Sequence, residues 1–199
     1  MKKGFTIIET LVALGIFVAI SFLISSFVRS IFFINTDLNN SLSAQFDARQ
    51  IMKKIVSELR STSPSSLGAY PILNAASSSL TFYSDIDDDG LKEKIRYFLQ
   101  SGNFKRGVVK PSGSPLTYND AGETLSTVTV NVTNSTSTPV FEYFDENYTG
   151  TSSPLTYPMN ILAIRLVRLT LIVEKDSNRL PIPFTISTQV MLRNLKDNL

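Results

Sequence analysis

The strongest constraint on this chain is an uncharged apolar run near its N-terminus. Residues 10–28 carry no charged side chain, and residues 31–34 continue the apolar character after Arg29. As an α-helix, the run spans roughly 28 Å, close to the ~30 Å thickness of a bilayer core. A secretory signal would have a shorter apolar core followed by a small-residue cleavage site, and no Ala-x-Ala site follows here. The sequence therefore predicts one membrane-spanning helix followed by a chain long enough for a separate domain.

The charges at the start of this run indicate its orientation. Lys2 and Lys3 precede the run. Basic residues prefer the cytoplasmic side of a membrane, so the C-terminal bulk of the chain should lie outside. Glu9 is an acidic residue at the edge of the apolar segment, and a carboxylate at that depth is costly and points to a function. A plainer interpretation is a single-pass anchor with Glu9 at the level of the lipid headgroups.

Composition narrows the classes of function. The 199 residues include no Cys and no His, which excludes disulfides, thiolate chemistry and a Ser-His-Asp triad. Without residues 1–4, the 19 basic side chains fall to 17 and equal the 17 acidic ones, so no basic field attracts nucleic acid. We expect a protein that is not an enzyme and has no direct nucleic-acid partner. An anchored carboxylate hydrolase is the weakest alternative.

The rest of the chain predicts an α+β fold in which a long helix packs on an antiparallel sheet. Residues 35–61 keep a helical period, and the Ser-rich stretch 61–66 with Pro64 ends the helix. Charged residues such as Lys54 and Glu58 fall between the apolar positions. We prefer packing on its own head to a coiled-coil partner. The apolar positions are Leu38, Leu42, Phe46, Met52, Ile55, Val56 and Leu59.

Residues 62–199 read as a β-rich head. Runs rich in β-branched and aromatic residues alternate with turn residues. Two stretches rich in Gly, Ser, Thr, Pro and Asn, residues 111–123 and 146–158, predict surface loops. The predicted strands are residues 80–83, 94–99, 103–109, 126–132, 140–144, 161–173 and 184–192, with a hairpin turn at 100–102 and a turn at 174–179.

An acidic segment between the first two predicted strands is a candidate calcium site. Residues 85–90 read Asp-Ile-Asp-Asp-Asp-Gly, the opening of a calcium-binding loop in which alternating carboxylates surround one hard cation. The predicted ligands are Asp85, Asp87, Asp89 and Glu93. A complete twelve-residue loop would end in Glu, and here that residue is Arg96, so a true EF-hand is not expected.

The alternative for this segment is a polar turn without an ion. Asp and Gly are common in turns because Asp bonds the local backbone and Gly adopts left-handed conformations. In a turn, Lys92 and Lys94 would balance the repelling aspartates. Both interpretations stay open at the level of sequence.

The first nine residues, Met-Lys-Lys-Gly-Phe-Thr-Ile-Ile-Glu, resemble the processing site of type IV prepilins and pseudopilins. The resemblance implies that residues 1–4 are a leader, cut after Gly4 by a prepilin peptidase at the cytoplasmic side of the inner membrane. It also implies N-methylation of Phe5 and a role for Glu9 in assembly. The Phe5 amine stays cationic whether methylated or not, and Glu9 can neutralise it within one subunit or between neighbours in an apolar bundle.

Shorter blocks in the head are similar to minor pilins and pseudopilins of the PilW-like and J-type kinds. These blocks are residues 85–99, 103–106, 141–145 and 188–194. The resemblance implies a structural subunit whose helix 5–34 binds other pilins or pseudopilins. The subunit would span the inner membrane once with its head outside, and then join an extracytoplasmic filament.

Two assemblies and one further class fit this sequence. The filament is either a type IV pilus or a type II secretion pseudopilus. The alternative from another class is an unprocessed, membrane-anchored extracytoplasmic binding protein with a calcium-dependent head.

Overall fold

The structure is a computed structural model that describes residues 4, 6–174 and 183–195, except the side chains of residues 34, 36–45, 47 and 193. One helix, α1 (Ile7–Arg60), opens the described chain. Internal contacts divide the chain into two units, Met1–Arg49 and Gln50–Leu199. The last turns of α1 thus belong to the second unit, which is called the head below. The predicted end of the helix near residue 60 is confirmed.

The first unit is dominated by the apolar part of α1. Segment Ile7–Phe33 is 27 residues long, and among the described residues it is the one helical segment long and apolar enough to cross a membrane. None of its apolar window is buried by protein. A helix that is apolar on every side needs an apolar surrounding that its own chain does not supply. The prediction of one such N-terminal helix is confirmed.

The described strands of the head form antiparallel sheets, which confirms the predicted α+β fold. They divide between a five-stranded sheet in the order β1-β2-β3-β4-β7 and a three-stranded sheet in the order β10-β9-β8, with β5 and β6 as a short separate ribbon. The strands are β1 (Ile72–Ala75), β2 (Ser79–Ser84), β3 (Glu93–Gln100), β4 (Asn103–Val109), β5 (Pro111–Ser112), β6 (Thr117–Tyr118), β7 (Thr124–Thr129), β8 (Phe141–Phe144), β9 (Leu166–Val173) and β10 (Phe184–Met191).

The core of the head joins the end of α1 to both sheets. Met52, Ile55 and Leu59 recur at helical spacing and are at most 5% exposed. They pack with aromatic side chains that form a chain of neighbouring rings, with centroids 5.7–6.5 Å apart, from one sheet to the other. These rings are Phe82, Tyr97, Phe104, Phe141 and Tyr143. The stripe at residues 52–59 is therefore a core surface, as the sequence predicted.

Glu58, a charged residue that lies between the apolar positions of α1 in the sequence, is buried against the sheet. The Glu58 carboxylate accepts hydrogen bonds from the Tyr97 hydroxyl at 2.7 Å and from Arg106 Nε and Nη2 at 3.1 and 2.7 Å. Glu58 is 7% exposed. Burial opposes the charge of Arg106, but the bonds to Glu58 prevail and raise its pKa. This pair links the helix to β3 and β4.

The predicted hairpin between β3 and β4 is confirmed. Gln100 pairs with Asn103, and the two turn residues, Ser101 and Gly102, have φ of 49° and 72°. Left-handed conformations at both positions are typical of a two-residue hairpin turn. The register then places Lys94 opposite Val109, so the residue after β4 lies beside the start of β3.

Several predicted element bounds are wrong. The strand predicted at 126–132 ends at Thr129, since Val130 is 50% exposed and Val132 instead bridges to Val173. The run predicted as one strand at 161–173 begins with a 3₁₀ turn, Ile161–Ala163, whose N-cap Asn160 accepts from the Leu162 amide. The stretch 111–123 is not only loop, because it contains β5, β6 and a 3₁₀ turn.

Two further predictions concern the helix and the last turn. Phe46 was assigned to the apolar stripe, but it is 64% exposed. The side chains of Leu38 and Leu42 lie outside the described residues, as does most of the predicted turn at 174–179. The stretch 146–158 contains no strand or helix in the structure, which agrees with the predicted loop.

Candidate functional site

The helix start holds the first group of predicted site residues. Thr6 precedes the first helical residue, Ile7, and its hydroxyl accepts the Glu9 amide at 3.3 Å. The Glu9 carboxylate reaches back to the Thr6 amide and hydroxyl, both at 3.3 Å. This reciprocal pattern is a capping box, which satisfies two amides that a helix leaves unpaired at its start. A carboxylate in the first turn is also favoured by the helix dipole.

Glycine at position 4 is not required by anything in the described structure. A Cβ added to Gly4 would meet no atom within 4 Å. Gly4 is exposed. Phe5, whose amine cleavage would release, lies outside the described residues, as do residues 1–3. The structure thus describes Glu9 with Thr6 as its partner, and the predicted pairing with an amine stays a prediction.

The acidic loop is held between β2 and β3, whose register pairs Ser84 with Glu93. One carboxylate oxygen from each of Asp85, Asp87 and Asp89 lies within 4.8 Å of the others. Left-handed Asp88 (φ 59°) and Gly90 (φ 87°) turn the chain so that alternate residues face one point. The structure therefore brings three of the four predicted ligands together.

Backbone and lysine donors hold these carboxylates. Asp85 Oδ2 accepts from the Gly90 amide at 3.1 Å and from Lys92 Nζ at 2.9 Å, and the Lys92 bond lowers the pKa of Asp85 despite partial burial. Asp87 forms an ion pair with Lys110, which raises the pKa of Lys110. The prediction that Lys92 balances the loop is confirmed. Lys94 instead pairs with Asp120.

Glu93, the fourth predicted ligand, is buried beneath the loop. It is fully inaccessible to solvent, and its Oε2 accepts the Ile86 amide at 3.0 Å. Its Oε1 has no hydrogen-bond partner, and the same holds for the buried Oδ1 of Asp85. Burial, with a smaller contribution from the charges of Asp87 and Asp89, raises the pKa of Glu93. Glu93 is not one of the three clustered carboxylates.

The exit of the loop is braced by two distant residues. The Tyr118 hydroxyl donates to the Lys92 carbonyl at 2.5 Å and accepts the Ser66 amide at 3.1 Å. The Ser66 hydroxyl accepts the Lys92 amide at 2.8 Å. Both Lys92 backbone groups are therefore bonded outside the loop. These bonds hold the β3 side of the loop in one position.

Sequence reasoning missed three contributors to these sites. Thr6 had a readable signal, because Thr-x-x-Glu before an apolar run is the capping-box pattern. Lys110 had none, since only the β3–β4 register brings it to Asp87. Tyr118 likewise lies 26 residues from its partner Lys92. Arg96, which stands where a complete calcium loop would have Glu, forms an ion pair with Glu123 at 2.5 Å.

The chain was compared with known proteins. No model of a known protein family matches the chain, and a search of curated proteins finds no match either.

Proposed function

We propose that this protein is a minor pilin or minor pseudopilin, a structural subunit of a type IV pilus or a type II secretion pseudopilus. The observation that carries the proposal is an apolar helical segment, Ile7–Phe33, none of whose apolar window is buried, with the Glu9 carboxylate in its first turn and open space around Gly4 before it. Such a segment fits a bilayer before assembly. It also fits a bundle with the helices of other pilins or pseudopilins afterwards, because both surroundings are apolar.

The freedom at Gly4 supports processing at that position. The space around Gly4 would accept a larger side chain there. A requirement for glycine at this position would then come from a second protein, namely from a peptidase with a narrow active site. Lys2 and Lys3 favour the cytoplasmic side, which would place this cut at the cytoplasmic face of the inner membrane.

The contacts of Glu9 support an assembly role. Among the described residues, the donors to its carboxylate are those of Thr6 at 3.3 Å, which make long hydrogen bonds from neutral groups. In an apolar bundle a carboxylate with such partners remains costly, and a cationic amine from Phe5 of its own or an adjacent subunit would neutralise it. Cleavage after Gly4 would thus create the cationic partner that Glu9 needs in the filament.

The head would contribute contacts along or at the tip of the filament. Its core is complete in the described residues, with the end of α1 and both sheets sharing one set of buried side chains. A secretin with secretion genes beside this gene would favour the pseudopilus. Genes for pilus retraction or competence would favour the pilus.

Intact-mass measurement of the protein from its native host tests the processing step. The expected mass is that of residues 5–199 plus one methyl group. A Gly4→Val variant should keep residues 1–4, because a branched side chain would not fit a site selective for glycine. Full-length mass for the natural protein would contradict the proposal.

Two variants at the helix start test the assembly step. Glu9→Gln keeps a capping box, since glutamine also serves at that position, but removes the charge. Thr6→Ala removes the cap and keeps the charge. We expect Glu9→Gln to be processed yet absent from sheared filaments, and Thr6→Ala to be incorporated. Equal incorporation of both variants would contradict a role for the Glu9 charge.

A second candidate is an unprocessed, membrane-anchored extracytoplasmic binding protein with a calcium-dependent head. The clustered carboxylates of Asp85, Asp87 and Asp89 favour it. It predicts a retained leader and a monomer in the membrane. The same mass measurement therefore separates the two candidates.

A further inference from the structure

The acidic loop has the dimensions of a site for a single hard cation. Calcium binds oxygen ligands at about 2.3–2.6 Å, so two of its ligands lie at most about 5 Å apart. The carboxylate oxygens of Asp85, Asp87 and Asp89 lie within 4.8 Å of one another, so all three can reach one ion. The three like charges repel one another, and the two lysines that pair with Asp85 and Asp87 offset this repulsion only in part.

A buried carboxylate beneath the loop is an independent sign of a missing partner. Glu93 is fully buried, and its Oε1 accepts no hydrogen bond. Its other oxygen binds the Ile86 amide, which places the carboxylate against the backbone between Asp85 and Asp87. A buried carboxylate oxygen without a donor is costly. The buried Oδ1 of Asp85 likewise has no hydrogen-bond partner.

The charge balance of the loop also favours a cation. The loop and Glu93 carry five carboxylates, contributed by Asp85, Asp87, Asp88, Asp89 and Glu93. Two lysines, Lys92 and Lys110, are paired with them. The nearby Lys94 is engaged by Asp120 instead. With Glu93 ionised, the local excess is three negative charges, which a divalent ion would largely offset.

We propose that the loop formed by residues 85–93 binds one calcium ion. Asp85, Asp87 and Asp89 are direct ligands, and Glu93 binds the ion through a water because its carboxylate lies outside the clustered three. The ion replaces Lys110 at Asp87. An all-oxygen donor set of this kind selects calcium over transition metals, which prefer nitrogen or sulfur ligands. The proposal is independent of processing and filament assembly.

Calorimetric titration of the full-length protein in detergent micelles, freed of divalent ions by a chelator, tests the proposal. We expect one calcium ion per chain with a dissociation constant of about 10⁻⁴–10⁻³ M, the range of extracellular calcium modules. Magnesium should bind more weakly, because it demands a smaller octahedral site and keeps its waters. Absence of saturable calcium binding across this range would overturn the proposal.

Matched aspartate variants show whether binding belongs to the loop. Asp87→Asn combined with Asp89→Asn should weaken calcium binding at least about tenfold, because affinity depends on ligand charge. Asp120→Asn is the control, since Asp120 is also an aspartate paired with a lysine but lies outside the loop. If Asp120→Asn weakened calcium binding equally, the loss would reflect general surface charge. The proposed site would then be wrong.

Two further variants change calcium affinity in opposite directions. Lys110→Gln removes the competing cation and should tighten binding up to about fivefold, the value of an exposed ion pair. Glu93→Gln keeps an acceptor for the Ile86 amide but removes the buried charge. It should weaken calcium binding without lowering the calcium-free unfolding temperature. Unchanged calcium affinity in Lys110→Gln would contradict displacement of Lys110 by the ion, and unchanged affinity in Glu93→Gln would contradict a role for Glu93 as a ligand.

Discussion

The two ends of α1 differ in what surrounds their apolar side chains. In segment Ile7–Phe33 every face is apolar and exposed, whereas residues 50–60 bury one face and expose charged residues on the other. Helix propensity does not explain this contrast, because both parts are helical. The distribution of apolar residues explains it: an all-round apolar helix depends on a surrounding from outside the chain, and a striped helix is completed by its own head. Four predictions test this contrast.

The buried ion pair should give the largest effect. Glu58→Ala leaves Arg106 and Tyr97 buried without their acceptor, and breaking a buried pair from one side costs about 3–5 kcal/mol. Urea unfolding of the full chain in detergent, followed by tyrosine fluorescence, measures the loss. Lys54→Ala, on the exposed side of the same helix, should change stability by less than about 0.5 kcal/mol. Similar losses of unfolding free energy in Glu58→Ala and Lys54→Ala would contradict the prediction that the buried ion pair stabilises the head.

A matched isoleucine pair compares the two ends of the helix directly. Ile55 is 1% exposed and Ile24 is 57% exposed. Ile55→Ala should destabilise the head by about 2–5 kcal/mol through lost burial and a cavity. Ile24→Ala should leave the unfolding midpoint of the head unchanged. A loss of head stability in Ile24→Ala would show that the apolar segment also contributes to the head's core.

Alkaline pH should affect the head and not the apolar segment, because all seven tyrosines lie between residues 70 and 157. Burial, with Glu142 nearby, raises the pKa of Tyr157 to about 12, and burial also raises the pKa of Tyr143. A raised pKa means that this stability is complete below about pH 10, the usual tyrosine value, and is lost as pH rises towards 12.

Circular dichroism and tyrosine absorbance between pH 9 and 12 test this prediction. We expect loss of β-structure while the detergent-embedded helix remains. Tyr157→Phe should lose less stability over this interval, because it removes a hydroxyl that donates to the Phe141 carbonyl only while protonated. An identical pH profile for the variant would assign the loss to other tyrosines.

The helix cap should give the smallest effect. Thr6→Ala removes the side-chain half of the capping box, and such a loss costs about 0.5–2 kcal/mol of local helix stability. Hydrogen exchange at the first-turn amides, Ile8 and Glu9, should become faster. Thr6→Ser keeps a hydroxyl and serves as the control. Faster exchange in the head would contradict a local effect.

Sequence reasoning succeeded where the signal was local. The end of α1 near Arg60, the turn at residues 100–102 and the stripe of Met52, Ile55 and Leu59 all follow from neighbouring residues. Sequence reasoning failed where one sequence pattern is compatible with two different structures. Phe46 continues the period but is exposed, and residues 161–163 have strand composition but form a 3₁₀ turn.

The acidic loop shows the same division. The alternation of Asp85, Asp87 and Asp89 predicted their convergence, because residues two apart in a turn beginning a hairpin can face one point. The burial of Glu93 and the arrival of Lys110 depend on pairing between strands distant in sequence. No local pattern encodes such contacts, since strand register is decided by the packed sheet as a whole.

The sequence by itself determined that this chain has one long apolar helix and a separate β-rich head. A helix of nineteen successive uncharged residues lacks the charged face of an amphipathic surface helix, whatever the rest of the chain does. Only the tertiary structure decided that Glu58 is a buried partner of Arg106 and that Glu93 is buried beneath three aspartates with one carboxylate oxygen, Oε1, unpaired. Charge and type are local properties of a residue, whereas burial and partners exist only after the strands have paired and the helix has packed.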